Sequence, residues 1–273
     1  DGTKLVISCA TLGYAVAGAT VAAAMAAESW VGRGDEQAAE EAAAHAMRDA
    51  LNAIDFTGHV IVGEVDIPVL NVGESVGTGN GPELDIALEA LEGTTLTAKA
   101  MPNALAVIAA APKGGLLQVP DLYMEKLAIG PGYERGVVDL DADAGENAIR
   151  LAKAKGVDVR EITVCVLDRP RHEKIIADLR KVGVRINLIS DGDVAGVINT
   201  AMPETGIDMY VGQGKAPEGV LAAAALRCAD GQMQARFVFR NEAEKYQAQR
   251  VGLKDAGRRY ELEDLVSGEV IFA

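Results

Sequence analysis

Three glutamates stand where carboxylates can do chemistry. Glu64, Glu89 and Glu92 each fall at or just beyond the end of a stretch that reads as a β-strand, and Gly93-Thr94-Thr95 follows directly. Acids meeting at strand ends, with no histidine beside them, suit a hard, oxygen-seeking cation such as Mg²⁺ or Mn²⁺. The E-x-x-E-G-T order adds a tight turn and a hydroxyl. The same letters also describe solvated acids beside a turn, the usual place for such residues.

A second cluster is Arg169, Arg171, Asp191 and Asp193. Two arginines at a strand end can hold a phosphate through paired donors, and acids in the next loop can accept sugar hydroxyls. Solvated loop charges and a helix-starting Asp are the plainer reading. The third feature is residues 212–219 (GQGKAPEG), read as a glycine-rich loop entering a helix. It offers backbone N–H groups to an anion and sets Glu218 in the first turn as a further candidate metal ligand, although a helix cap accounts for the glycines too.

The elements that must position these groups follow from periodicity. Residues 5–27 carry no charge and, at about 1.5 Å per residue, would span about 35 Å as a helix. Their Ala, Gly, Thr and Ser content favours a buried Ala-rich helix over a secretion signal or a membrane span. Asp35 caps a helix over residues 36–54. Strands are expected at 59–63, 84–88, 104–110 and 116–119. After residue 156 strand and helix alternate: strand 162–167, helix 171–182, strand 184–189, helix 194–202, strand 208–211 and helix 216–229, with Pro217 in its first turn. That rhythm implies parallel crossover units with ligand sites at the carboxyl ends of the strands. Residues 242–259 read as a solvated helix and turn, and 270–273 as a final strand.

Composition narrows the function. The chain has 273 residues, 26 Lys+Arg against 40 Asp+Glu, and a formal net charge of -14. That balance argues against nucleic acid and anionic membranes as partners, both of which need a basic face. Aromatics make up 4%, so the core must be aliphatic and Ala-rich, with Trp30 as a core or interface anchor. Cys9, Cys165 and Cys228 lie apart in apolar stretches, as in a reduced, cytoplasmic protein. His45, His59 and His172 have no zinc-site spacing, so any metal is held by oxygen.

Taken in order, residues 30–35 (WVGRGD), 61–64 (IVGE), 91–94 (LEGT), 103–107 (NALAV), 120–127 (PDLYMEKL), 169–172 (RPRH), 190–194 (SDGDV) and 216–220 (APEGV) resemble the class II fructose-1,6-bisphosphatases, the GlpX-type enzymes of bacteria, over roughly residues 30–273. The resemblance implies an α/β protein of the lithium-sensitive sugar phosphatase superfamily. Its fold would be a layered α/β/α/β/α one in two α/β halves, a metal-binding half at 1–158 and a sugar-phosphate-binding half at 159–273. It implies Mn²⁺- or Mg²⁺-dependent removal of the 1-phosphate of fructose 1,6-bisphosphate in gluconeogenesis, by a cytoplasmic homo-oligomer. Carried over motif by motif, the metal ligands are Glu40, Glu64, Glu89, Glu92 and Glu218. Thr94 orients or helps deprotonate the attacking water, with Glu64 and Glu92 also catalytic. Substrate contacts come from Glu92, Gly93, Thr94, Tyr123, Arg169, Pro170, Arg171, Asp191, Gly192, Asp193 and Lys215.

Several departures from the family pattern fall on these positions. Glu40 stands where the family has Asp, and Glu89-Ala90 where it has Asp-Pro. Each added methylene moves a carboxylate by about 1.5 Å unless the backbone adjusts, against a tolerance of about 0.5 Å. The acid-rich loop G-E-G-E-x-D-E-A-P is shortened to residues 63–68 (GEVDIP), with Asp66 as its remaining acid. Lys215 replaces a glycine, either intruding on a ligand or adding a phosphate contact. Residues 5–27 replace a helix with scattered charges, and the family continues past residue 273 with a further strand and helix, whose loss would leave a sheet edge exposed. The departures motivate a rival reading, a non-catalytic homologue that binds sugar phosphate or metal without turnover. Activity on sedoheptulose 1,7-bisphosphate is an alternative within the enzyme class, since one more carbon is hard to reject.

Overall fold

The computed structural model describes residues 9–273 apart from Lys254 and Ala256. Of these, the residues up to Gln118 together with Val266–Ala273 form one compact unit, and Val119–Leu265 form another.

In the first unit the charge-free stretch becomes helix α1 (Cys9–Glu28); residues 5–8 lie outside the described part. Residues Ala10–Glu28 are long and apolar enough to cross a membrane by length and composition. Here Leu12, Val16, Ala19, Ala23 and Ala27, three or four apart, bury one stripe in the core, while Tyr14, Val21 and Met25 lie exposed on the other side. The expected core helix is therefore half-buried. Helix α2 (Glu36–Leu51) starts where Asp35 accepts from the Ala38 N–H at 3.0 Å. It buries Ala39, Ala43, Ala44, Met47 and Leu51. It ends before residue 54, and its C-cap Asn52 accepts the Gly77 N–H. Alanine on both helices lets their axes approach closely.

The sheet of this unit holds β1 (Thr57–Val62), β2 (Ser75–Val76), β3 (Glu83–Glu92), β4 (Leu105–Pro112) and the final strand β11 (Ile271–Phe272), with the short helix α3 (Thr94–Ala98) after β3. Its order is β11-β4-β3-β1-β2. β1 and β3 run parallel, and β4 is antiparallel to β3. Residues 116–119, expected as a strand, contribute one bridge, Leu116 to Val266. The Gly114 turn precedes it and Pro120, which has no N–H, follows. Leu116 and Val119 are apolar because they plug the core, not because they join a ladder.

The second unit holds β5 (Tyr123–Ile129), α4 (Ala144–Lys155), β6 (Thr163–Leu167), α5 (Glu173–Val182), β7 (Arg185–Ile189), α6 (Asp193–Ile198), β8 (Met209–Lys215), α7 (Ala216–Cys228), β9 (Gln232–Val238), the solvated helix α8 (Glu242–Arg250), β10 (Tyr260–Glu261) and α9 (Leu262–Leu265). Its sheet order is β10-β9-β5-β8-β6-β7. β6, β7 and β8 are parallel, as the strand–helix rhythm predicted, while β5 lies antiparallel between β8 and β9. Residues 212–215 are the end of β8 and not a loop. Their glycines clear space: a Cβ on Gly212 would sit 3.2 Å from the His172 ring, and one on Gly214 would sit 2.0 Å from Asp193 Oδ2.

His172 ties two strands together. Its Nδ1 donates to the Leu167 carbonyl and its Nε2 accepts from the Gln213 N–H, both at 2.8 Å. That pattern needs the neutral ring. Burial first, then the positive charges of Arg171 and Arg169, hold its pKa below the ordinary value. A depressed histidine contributes stability that is present above about pH 6.5 and is lost as pH falls through the folded-state value. Urea unfolding is thus expected to weaken below about pH 6.5, by at most about 1.4 kcal/mol per pH unit from this ring, and His172→Gln to flatten that slope; an unchanged slope refutes the assignment. On the helix pair, Ala43→Leu is expected to cost about 1–3 kcal/mol by overpacking. Tyr14→Ser, on the exposed stripe, is expected to stay within about 0.5 kcal/mol in the same assay.

Candidate functional site

β3 departs from regular pairing where the acids lie. Glu89 pairs with Val107 and Glu92 with Leu105, so three steps on β3 match two on β4. In a regular strand residues three apart face opposite sides; the extra residue restores them to one side. Glu89 and Glu92 therefore project from the same face. The Glu64 carboxylate accepts the Ala90 N–H, between them, at 2.8 Å. Glu64 and Glu92 are 7% and 3% exposed, so these are not solvated surface acids, and Glu89 is half-buried.

The shortened loop that presents Glu64 is tightly laced. A Cβ at Gly63 would lie 2.1 Å from the Leu70 carbonyl oxygen, which is why the letter before Glu64 is glycine. Asn71 donates to the carbonyls of Glu64 and Ile67. Glu74 accepts the Leu70 N–H at 2.6 Å and pairs with Arg48 of α2 at 2.8 Å. Asp66 is the loop's exposed acid. After Glu92, Gly93 takes a left-handed conformation, φ 83°, and begins α3. Thr94 then donates its hydroxyl to Glu36 Oε2 at 3.4 Å. Glu40, half-buried, sits one turn along α2 from Glu36.

The cationic groups lie in the second unit, beyond the end of β6. Arg171 donates Nε and Nη2 to the Gln213 carbonyl at 3.0 and 2.8 Å. Its guanidinium lies 5.2 Å from the Tyr123 ring centre, and that of Arg240 lies 5.3 Å from the same ring. Arg169 and Pro170 lead into the short 3₁₀ turn Pro170–His172. Lys215 pairs across the ladder with Tyr123, and its half-exposed ammonium is 4.0 Å from Asp121. Asp191 and Gly192 form the turn into α6, Gly192 with φ 83°. Asp193 is buried and bonds Lys126 Nζ at 2.6 Å. Glu218 reaches back to accept the Lys215 N–H at 3.3 Å, half of a capping box.

Each unit thus gathers its share of the residues singled out in the sequence: Glu64, Glu89, Glu92, Gly93 and Thr94 at one strand end, and Tyr123, Arg171, Lys215 and Glu218 around the β5–β8 ladder. The donors at the β3 end are all carboxylate oxygens, the chemistry a hard divalent cation takes. Among the described residues, no three histidine, cysteine or acidic side chains are grouped closely enough, as oriented here, to hold a metal ion. Sequence reasoning missed Glu36, Lys126 and Arg240. For Lys126 a signal existed, a lysine two residues from Met124 in a strand-like apolar run; for Arg240 there was none. The Cys165 thiol is pushed up to about 12 by burial and by the nearby Asp193 charge, which makes it a poor nucleophile.

The chain is similar in sequence to known proteins along most of its length. A sequence model of the family described as bacterial fructose-1,6-bisphosphatase, glpX-encoded, matches residues 10–273. The fructose-1,6-bisphosphatase 1 class 2 of Escherichia coli (strain K12) is 43% identical over 244 residues, 88% of this chain and 72% of that protein. The fructose-1,6-bisphosphatase class 2 of Shigella flexneri matches with the same identity and coverage. A family match over residues 10–273 and this identity over 88% of its length place the chain in the bacterial GlpX-type, class 2 fructose-1,6-bisphosphatase family.

Proposed function

We propose that this phosphatase hydrolyses the 1-phosphate of fructose 1,6-bisphosphate, giving fructose 6-phosphate and phosphate, in the cytoplasm and as a step of gluconeogenesis. The observation that carries the reading is the β3 bulge, which turns Glu89 and Glu92 to one face with the Glu64 carboxylate on the amide between them. Glu64, Glu89 and Glu92 are the proposed ligands of Mg²⁺ or Mn²⁺ in the first unit, with Glu40 and Glu218 as further ligands. Such an ion, when bound, would neutralise phosphate oxygens and lower the pKa of the water it holds.

The chain's own residues do the rest. Arg169 and Arg171 bind a phosphoryl group, Arg171 with its plane fixed by the Gln213 carbonyl and the Tyr123 ring. Asp191 and Asp193 accept sugar hydroxyls. Gly93 and Glu92 frame the turn that presents Thr94, whose hydroxyl orients the attacking water and is itself oriented by Glu36. Phosphoryl transfer asks mainly for in-line positioning, so a threonine suffices without a nucleophilic cysteine or histidine. The protein acts as a homo-oligomer and engages neither nucleic acid nor membrane in this role.

One observation favours a second reading. Among the described residues the acids as oriented do not form a three-ligand group, which suits a sugar-phosphate-binding homologue without turnover. Phosphate release separates the two. Purified protein is expected to release phosphate from fructose 1,6-bisphosphate with Mn²⁺ or Mg²⁺ and to stop when EDTA is added. Binding of fructose 6-phosphate without hydrolysis under either ion sinks the enzyme reading. In active protein, Glu92→Gln is expected to lower kcat by about 10²-fold or more. Arg169→Ala is expected to raise KM about 10- to 100-fold, the equivalent of a lost charge-assisted bond of about 1.5–3 kcal/mol; an unchanged KM removes Arg169 from the phosphate seat.

A further inference from the structure

Lys126 lies in the middle of β5, and its side chain is fully buried. Its ammonium meets Asp193 Oδ2, from the first turn of α6, at 2.6 Å and lies 3.8 Å from Glu218 Oε2, from the first turn of α7. Space for this meeting is cut out by two glycines. A Cβ at Gly214 would sit 2.0 Å from Asp193 Oδ2 and 3.0 Å from Lys126 Nζ; one at Gly219 would sit 2.8 Å from Met124 Sδ and 3.3 Å from Lys126 Cε.

Such a pair is a poor way to make the fold stable. Desolvating two ions costs several kcal/mol each, and apolar replacements of similar volume are often as stable or more so. The carboxylate also keeps an unmet need, because Asp193 Oδ1 is buried with no hydrogen-bond partner among the described residues. Leaving a buried acceptor without a donor is costly. The loss is recovered when something brings a donor to it. One oxygen of Asp193 is pinned by Lys126, and the other is buried beside it with no donor among the described residues.

We propose that Lys126 is a positioning residue for sugar recognition: by clamping Asp193 Oδ2 it aims Oδ1 at a hydroxyl of a polyol phosphate. The inference rests on the fructose-phosphate reading above and deepens it. Lys126 contacts no substrate itself; it sets the geometry of a residue that does. Phosphate recognition, assigned to the arginines, is independent of it, and that independence makes the proposal separable from a general structural role.

The test is Lys126→Met, which removes the ammonium and keeps the length, together with the double variant Lys126→Met/Asp193→Asn, which leaves no uncompensated buried carboxylate if the single variant folds poorly. Both are compared with the wild type by steady-state kinetics, by inhibition with inorganic phosphate and by calorimetric titration of fructose 6-phosphate. Expected are a KM for fructose 1,6-bisphosphate raised at least tenfold, a matching loss of fructose 6-phosphate affinity, and a Ki for inorganic phosphate unchanged within twofold, in whichever variant shows a wild-type unfolding transition. Equal weakening of sugar phosphate and inorganic phosphate would mean a structural role only and overturns the proposal, as does an unchanged KM. Wild-type protein that binds fructose 6-phosphate but releases no phosphate from the bisphosphate removes the hydrolase reading alone, and Lys126 is then judged by the two titrations. Wild-type protein that does not bind fructose 6-phosphate overturns both.

Discussion

A single extra residue in β3 sets the geometry of the acidic end of this molecule. Without it, Glu89 and Glu92 would point to opposite faces of the sheet. With it, both share a face, and the amide of Ala90 is left free of the ladder for the Glu64 carboxylate to accept. The bulge does what an added loop would do elsewhere, but on a rigid strand held between β1 and β4. Everything that presents Glu64 serves that contact. Gly63 lets the Leu70 carbonyl pass close by, Asn71 ties the short loop shut, and the Arg48–Glu74 pair fixes it to α2.

The second unit solves a different problem, the placing of charge inside a sheet. His172 stays neutral and joins β6 to β8 by two hydrogen bonds, leaving the neighbouring arginines as the charged groups. Gly212 and Gly214 alternate on one face of β8 so that the imidazole and the Lys126–Asp193 pair each have a place. Here the glycines of the GQGK segment make way for side chains on neighbouring elements. They do so as strand residues, where glycine ordinarily weakens a ladder, a sign that close approach is the reason for them.

The α/β class, the caps and most strands were legible in the sequence because they rest on local signals. Asp35 before an Ala-rich periodic run, Gly63 before Glu64 and the strand–helix rhythm after residue 156 each carry their own evidence. What was not legible depended on partners distant in the chain. No local pattern marks β5, because its glutamate and lysine interrupt the alternation, although Lys126 is mid-strand and fully buried. The 212–215 segment reads as a loop because glycine signals a loop locally, while its reason lies in His172 and Asp193. Residues 116–119 looked like a strand because buried plugs and strand residues share the same apolar letters. For the site, residue types and strand-end placement could be read, but not the bulge that turns Glu89 to the side of Glu92, since no single-strand pattern encodes an inserted residue.

The net charge of -14 poses a question for any protein that takes a phosphate, and distance answers it. At physiological salt a charge is screened over about 8 Å, so acids spread over the surface weigh little against cations in contact with the ligand. Around Tyr123 two guanidinium groups gather within 5.3 Å of one ring. Arg240 is matched by Glu244, at 2.6 Å, whereas Arg171 donates to the Gln213 carbonyl. A carbonyl fixes the plane of a guanidinium without cancelling its charge. In the proposed phosphate seat Arg171 is thus an oriented cation, held by an aromatic face and a strand backbone and not by an acid that a phosphate would first have to displace.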